Sequence, residues 1–402
     1  MLSTRAPARQ AILVGTGCDD EAMASSWDTP ERRALRASVR RFTEREIVPR
    51  LSQWEDDGEL PRSLHLAAAK AGLLGVSFPE GLGGGGGTTV DSMIVTEEII
   101  QAGGSSGVVA SLFTHGIGLP HLVAAADPDL LDRVVRPVLA GEKIAALAVS
   151  EPDAGSDVAR LRTRAVRDGD NYVVTGSKMY ITSGTRADFV TTAVRTGGEG
   201  AHGISLLLLE RGMPGFTVSR PLRKMGWLCS DTAELTFDEV RVPAGNLIGS
   251  EGAGFAQIMQ QFVPERLSLA VQAYATARRC LDLTLQWVKQ RETFGRPLAT
   301  RQVVRHRVAE MARQVDVART YTRAVVDAWQ AGDDVVQRVA MAKNTAVAAC
   351  DYVVNDAVQL HGGMGYLRES EVERHYRDSR ILGIGGGTTE IMTELVSRLL
   401  LG

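Results

Sequence analysis

The chain is short of cysteine, short of aromatic side chains and without an excess of either charge. Its four cysteines, Cys18, Cys229, Cys280 and Cys350, stand far apart in sequence and form no CxxC pair, which speaks against a zinc site and a disulfide framework and fits a reducing cytoplasm. Lys and Arg number 45 against 48 Asp and Glu, so no overall field draws the chain to nucleic acid or to an anionic membrane surface. No apolar run approaches the roughly 20 residues of a membrane-spanning helix. The first residues lack the apolar centre of a secretory signal. The seven histidines show neither HExxH nor HxxxH spacing, and no metal site is expected.

What is present is a change of period along 402 residues, a length that calls for more than one packed unit. Residues 1–26 read as a mobile tail. Residues 27–143 read as a helical domain: Thr29-Pro30-Glu31 offers a cap with proline at the first helical position, and Leu35, Val39, Phe42 and Ile47 supply an apolar stripe. A loop over Gly83–Gly87 interrupts it before Met93, Ile94, Glu97, Ile99 and Ile100 resume a buried helix. Between 144 and 249 short β runs follow one another without helices, among them Tyr172–Val174, Met179–Thr182, 188–194, 204–209 and 233–242, which predicts an antiparallel sheet or barrel. Helical spacing returns over 250–402. Pro264 divides two apolar stripes there, predicting a kink or a fresh helix start with Glu265 in a first turn.

Three short motifs mislead. Gly81–Gly86 and Gly198–Gly203 satisfy GxGxxG, but neither follows a strand and opens a helix, as dinucleotide binding requires. Gly103–Gly107 spells GxSxG after a helical stretch, where a hydrolase's nucleophile elbow needs a strand.

The segment Ala148-Val149-Ser150-Glu151-Pro152-Asp153-Ala154-Gly155-Ser156-Asp157 is dense in small and hydroxyl side chains; taken alone it is a capped turn. Gly176-Ser177-Lys178-Met179-Tyr180-Ile181-Thr182-Ser183-Gly184 follows it. Further on come Arg291-Glu292-Thr293-Phe294-Gly295-Arg296-Pro297, then Gln359-Leu360-His361-Gly362-Gly363-Met364-Gly365-Tyr366, then Gly385-Gly386-Gly387-Thr388-Thr389-Glu390-Ile391. In this order the strings resemble the signatures of the acyl-CoA dehydrogenases, from about Asp28 to the C-terminus.

The resemblance implies an α+β architecture: an N-terminal α-helical domain, a middle antiparallel β domain and a C-terminal four-helix bundle, with FAD extended between subunits of a homotetramer. It places the isoalloxazine against Val149, Ser150, Tyr180, Ile181 and Thr182, with tyrosine where tryptophan is common. A flat wall with hydroxyls at its edge suits that ring. Arg291, Thr293, Phe294, Gln302, Gln359, Gly362, Gly363, Thr388 and Glu390 are implied contacts of the same cofactor, several of them reaching a neighbouring subunit's FAD. Guanidinium pairing with phosphate suits Arg291. Ser156 is implied at both cofactor and CoA; Val263, Arg266 and Gly387 are implied at the substrate. Arg160 replaces a glycine frequent near the end of the first signature.

Many members of the family carry the catalytic glutamate just before the C-terminal Gly-Thr pair, where this chain has Gly386. Thioester α carbons are weak acids and need a positioned base. Pro264-Glu265-Arg266-Leu267 resembles the long-chain and isovaleryl branches, in which the glutamate sits on the earlier helix, so Glu265 is the expected base. Without the resemblance, a glutamate after proline reads as a first-turn charge favouring the helix dipole. The implied reaction is α,β-dehydrogenation of an acyl-CoA to a trans-2-enoyl-CoA. The Gly386 backbone N–H would polarise the thioester carbonyl, and electrons would pass to an electron-transferring flavoprotein. A flavin oxidase and a non-catalytic flavoprotein on the same scaffold are the competing readings.

Overall fold

The computed structural model describes residues 26–125 and 127–402. The tail assigned to residues 1–26 therefore lies, Ser26 apart, outside the described residues, as does Cys18. Ser26 donates from Oγ to Asp327 at 2.6 Å.

Helix α1 (Pro30–Phe42) starts where Thr29 Oγ1 accepts from the Arg32 N–H at 3.3 Å, with Pro30 in the first turn, where a missing N–H costs no helical bond. It buries Val39 and Phe42, and the following turn buries Ile47. The glycine run is a loop, ended by a reciprocal cap in which Thr88 N donates to Asp91 Oδ2 at 2.8 Å. Helix α2 (Thr89–Gln101) then buries Met93, Ile94, Ile99 and Ile100. Ser105 caps α3 (Ser106–Leu112), so the GxSxG string is a helix-to-helix turn.

Seven strands form one sheet: β1 (Ala145–Ala148), β2 (Arg164–Asp168), β3 (Asn171–Thr182), β4 (Phe189–Arg195), β5 (Ile204–Glu210), β6 (Phe216–Pro221) and β7 (Thr232–Pro243). The order is β1-β4-β2-β3-β7-β6, with β5 on the far side of β4. Two features depart from expectation. The runs Tyr172–Val174 and Met179–Thr182 belong to one strand, broken in pattern by register shifts at Val174/Gly176 and Lys178/Ile181. The sheet is also mixed, since β1 pairs with β4 in parallel, as β2 does at one position. A polar device sets the parallel register: Asp188 Oδ2 accepts from Ile144 N at 2.9 Å, and Asp188 N donates to Ile144 O at 2.8 Å. Alternation of apolar residues carries no trace of that tie.

The C-terminal part contains α4 (Gly254–Gln290), α5 (Gln302–Gln330), α6 (Val336–His361), α7 (Glu371–Ser379) and α8 (Thr389–Leu401). Pro264 starts no new helix; α4 runs unbroken through it, and Glu265 is an interior residue. Proline within a helix costs about 3 kcal/mol. Burial of Ile258 and Val263 before it, and of Leu267, Ala270, Val271 and Tyr274 after it, offsets that cost.

One apolar core joins the two helical parts, uniting Val39, Ile94 and Ile99 with Leu267, Val271 and Val353. The Tyr274 hydroxyl donates to Glu97 Oε2 at 3.0 Å inside it, and Arg323 reaches the same carboxylate at 2.8 Å. Among the guanidinium groups that tie the N-terminal helices to the sheet, Arg186 is the most deeply buried. Buried Arg186 donates to Leu60 O at 2.6 Å, Ser111 Oγ at 2.7 Å and Asp231 Oδ1 at 2.6 Å.

Candidate active site

Three elements converge on the triglycine loop 385–387. Helix α4 supplies Glu265, Arg266 and Leu269; α6 supplies Lys343; and the residue before α8 is Thr388, whose Oγ1 caps that helix by accepting from Ile391 N at 3.3 Å. Arg266 Nε donates to Gly386 O at 3.0 Å. Lys343 Nζ donates to Gly385 O at 2.7 Å and to Gly387 O at 2.5 Å. Gly386 and Gly387 have φ of 63° and 94°, the left-handed region where a side chain is strained. A Cβ on Gly386 would meet Leu269 Cδ1 at 2.6 Å and lie 3.6 Å from Glu265 Oε1. The Glu265 carboxyl thus stands beside the position from which the family's alternative glutamate would project, with Leu269 filling that space.

Glu265 is deep but keeps a partly open face, and among the described residues no hydrogen-bond donor reaches its carboxyl. Burial raises its pKa to about 7, opposed by the nearby Arg266 and Lys343 cations. Burial pushes Lys343 down to about 8, with Arg266 acting in the same direction and Glu265 against it. With its helix beginning at Gly254, Glu265 is not a first-turn charge serving the helix dipole.

A second group gathers on the sheet. Met179 N donates to Ser150 O at 2.9 Å, which lays Val149 and Ser150 beside Tyr180, Ile181 and Thr182. Below them buried Lys178 donates to Val149 O at 3.0 Å and Glu151 Oε1 at 2.8 Å, while Glu151 also accepts from Arg162 N and Thr163 N. Tyr180 sits in the bulge with φ of 64° and is 66% exposed. Ile181 points into the sheet core, leaving only its backbone to face a ligand, and Thr182 is half-buried. Ser156 and Arg160 are exposed on the preceding loop.

A third group lies elsewhere. Arg291 caps the far end of α4, about 39 Å along the axis from Glu265 at the helical rise of 1.5 Å per residue. Its guanidinium lies 6.0 Å over the Trp287 ring, and Trp287 stacks on His361 at 5.1 Å, which brings Arg291, Thr293 and Phe294 to the same end as Gln359, Gly362 and Gly363. Phe294 is 96% exposed at φ 52°, with Arg301 5.7 Å over its ring. Gln302 lines a surface hollow of about 450 Å³ with Val303, His306, Arg307 and Tyr352.

Tyr180 and Phe294 fit a cofactor with flat rings at both ends. Each holds a backbone conformation costing on the order of 1–3 kcal/mol while presenting an aromatic face to water. Other expected residues have local partners. Val263 belongs to the helical core, Arg266 anchors the Gly386 carbonyl, and exposed Glu390 is drawn below the usual carboxyl pKa by its own backbone N–H and by Thr388.

Sequence reasoning missed Lys343, Lys178, Glu151 and Leu269. A signal existed for the lysines: Lys343 falls on the apolar face with Val339, Ala346 and Val347, and Lys178 falls on the inward face of β3 with Tyr172 and Val174.

Three family descriptions match the chain in order: Acyl-CoA dehydrogenase, N-terminal domain, over 29–142; middle domain, over 146–240; and C-terminal domain, over 252–401. The long-chain specific acyl-CoA dehydrogenase, mitochondrial, of Sus scrofa is 38% identical over 92% of this chain and 86% of its own. A probable acyl-CoA dehydrogenase from Mycobacterium abscessus has a solved structure matching at a TM-score of 0.93 and 66% identity, over 93% of this chain and 100% of the other. The glutaryl-CoA dehydrogenase of Mycobacterium smegmatis in complex with FADH2 matches at 0.88 and 25% identity, over 93% and 95%. The chain belongs to the acyl-CoA dehydrogenase family, FAD-dependent oxidoreductases that act on CH–CH groups of acyl-CoA thioesters.

Proposed function

We propose that this chain converts an acyl-CoA of lipid or branched-chain catabolism to the trans-2-enoyl-CoA, with Glu265 as the base. The observation that carries this is a carboxyl without a hydrogen-bond partner among the described residues, shifted by burial to about 7, beside the Gly386 backbone. A general base works best with its pKa near the working pH. Glu265 takes the α proton; the Gly386 N–H receives the charge that develops on the thioester oxygen, as in an oxyanion hole. FAD, when bound, supplies the acceptor for the β hydrogen as hydride. Val149, Ser150, Tyr180 and Thr182 would hold its flavin ring, and Arg291, Phe294, Gln359 and Gly363 would hold the far end of a neighbour's cofactor.

That sharing makes a homotetramer part of the proposal, supported by the roughly 39 Å along α4 that separates Glu265 from Arg291. An electron-transferring flavoprotein as acceptor is typical of the family and is proposed here, as are a cytoplasmic location and the three-part division at 143/144 and 249/250. Anaerobic titration of the yellow protein with straight and branched acyl-CoAs tests the activity by flavin bleaching. In Glu265→Gln, bound FAD should stay at the wild-type level while bleaching slows about 10²- to 10⁴-fold. Bleaching near the original rate would remove Glu265 from this role.

A further inference from the structure

The triglycine loop has no side chains with which to hold its own shape, yet two of its residues occupy the left-handed region. Glycine backbone is the most costly to order, so the loop's conformation must come from outside it. Two cations provide it. Lys343, 1% exposed, donates to the carbonyls of Gly385 and Gly387, and Arg266 donates to the carbonyl between them. In a trans peptide the C=O of one residue and the N–H of the next point to opposite edges of one plane. Fixing Gly385 O on the Lys343 ammonium therefore turns the Gly386 N–H away from it, and among the described residues that N–H meets no acceptor.

We infer that Lys343 is a positioning residue for the reaction: by gripping Gly385 O and Gly387 O it aims the Gly386 N–H at the thioester carbonyl, and it never touches the substrate itself. The inference rests on the proposed oxyanion role of Gly386. It also explains why a lysine is buried on the apolar face of α6, where ammonium desolvation is expensive. A neutral side chain of equal length would leave three carbonyls with one cation among them, and the loop free to turn.

Infrared difference spectra of the FAD-loaded protein with saturating trans-2-dodecenoyl-CoA, carbon-13-labelled at the thioester carbonyl, test this. In wild type the labelled carbonyl band should move to lower frequency on binding; no movement would overturn the oxyanion reading of Gly386 itself. With that movement established, Lys343→Met should return the band toward the free-ligand position and slow flavin reduction about 10²- to 10³-fold, the usual loss for one oxyanion donor. Lys343→Arg should restore part of both. Glu265→Gln should leave the band low, because the base does not bond the carbonyl. A Lys343→Met band as low as wild type would overturn the inference. Should that variant yield no yellow protein, Lys343→Gln, which keeps a donor without the charge, must show an intermediate band; a wild-type band there overturns the inference equally.

Discussion

Lys178 and Glu151 face each other at 2.8 Å under the turn that carries Val149 and Ser150, the lysine fully buried and the glutamate nearly so. The pair and two backbone N–H groups hold Glu151 below its ordinary pKa, whereas burial outweighs the pairing for Lys178 and lowers it to about 8. Removing one partner strands the other charge. Lys178→Met should cost about 3–5 kcal/mol in denaturant unfolding. The double variant Lys178→Met, Glu151→Gln should recover much of that, and a cycle without coupling would contradict the ion pair.

The pH dependence follows from Glu265. A base must be ionised, so with a pKa of about 7 the rate of flavin reduction should rise close to tenfold per pH unit below that value and level off above it. Arg266 and Lys343 hold the carboxyl down, so Arg266→Gln should move the midpoint upward. For stability the sign is reversed. The folded state holds this proton more tightly than the unfolded state, and the contribution is lost as pH rises from 4.5 to about 7. Stopped-flow reduction at a series of pH values reads the first effect, and a midpoint near 4.5 would contradict the burial.

Gly386 and Gly385 should respond differently to alanine. Gly386→Ala puts a Cβ at φ 63° against Leu269 and should destabilise by about 1–3 kcal/mol. Gly385 has no left-handed φ and only Ile381 O near its missing Cβ, at 3.6 Å, so its alanine variant should cost under about 1 kcal/mol. Equal melting shifts would mean the loop differs from this geometry.

Tyr180 separates stability from affinity. Tyr180→Gly relieves a left-handed φ and deletes an aromatic face, so the FAD-free chain should be no less stable while FAD dissociates about tenfold more readily, the equivalent of one ring contact. Parallel losses in thermal unfolding and flavin retention would assign Tyr180 to packing alone.

Much of this was legible in the order of residues. The cap at Thr29, the stripes of α1, α2 and α4, and the β runs of the middle part appear as periodicity because each side chain's burial repeats with its element. The proposal of Glu265 starts from the resemblance, in which the carboxyl usual before the Gly-Thr pair is replaced by Gly386. What periodicity hid were polar ties between distant positions. The Asp188–Ile144 bonds that make β1 and β4 parallel, and the Lys343 grip on residues more than forty positions away, depend on which segments meet. Of the two outcomes expected at Pro264, the fresh helix start is not found, because packing on both sides carries α4 through the missing N–H.

Arg186 spends its guanidinium on a loop carbonyl, a helix hydroxyl and a strand-edge carboxylate. Arg186 and Asp231 both stay with the sheet, so peeling the sheet away from the helices would abandon the loop carbonyl and the helix hydroxyl together while the ion pair remained. A proteolytic nick between the N-terminal helices and the sheet should therefore leave two fragments still held by those two bonds.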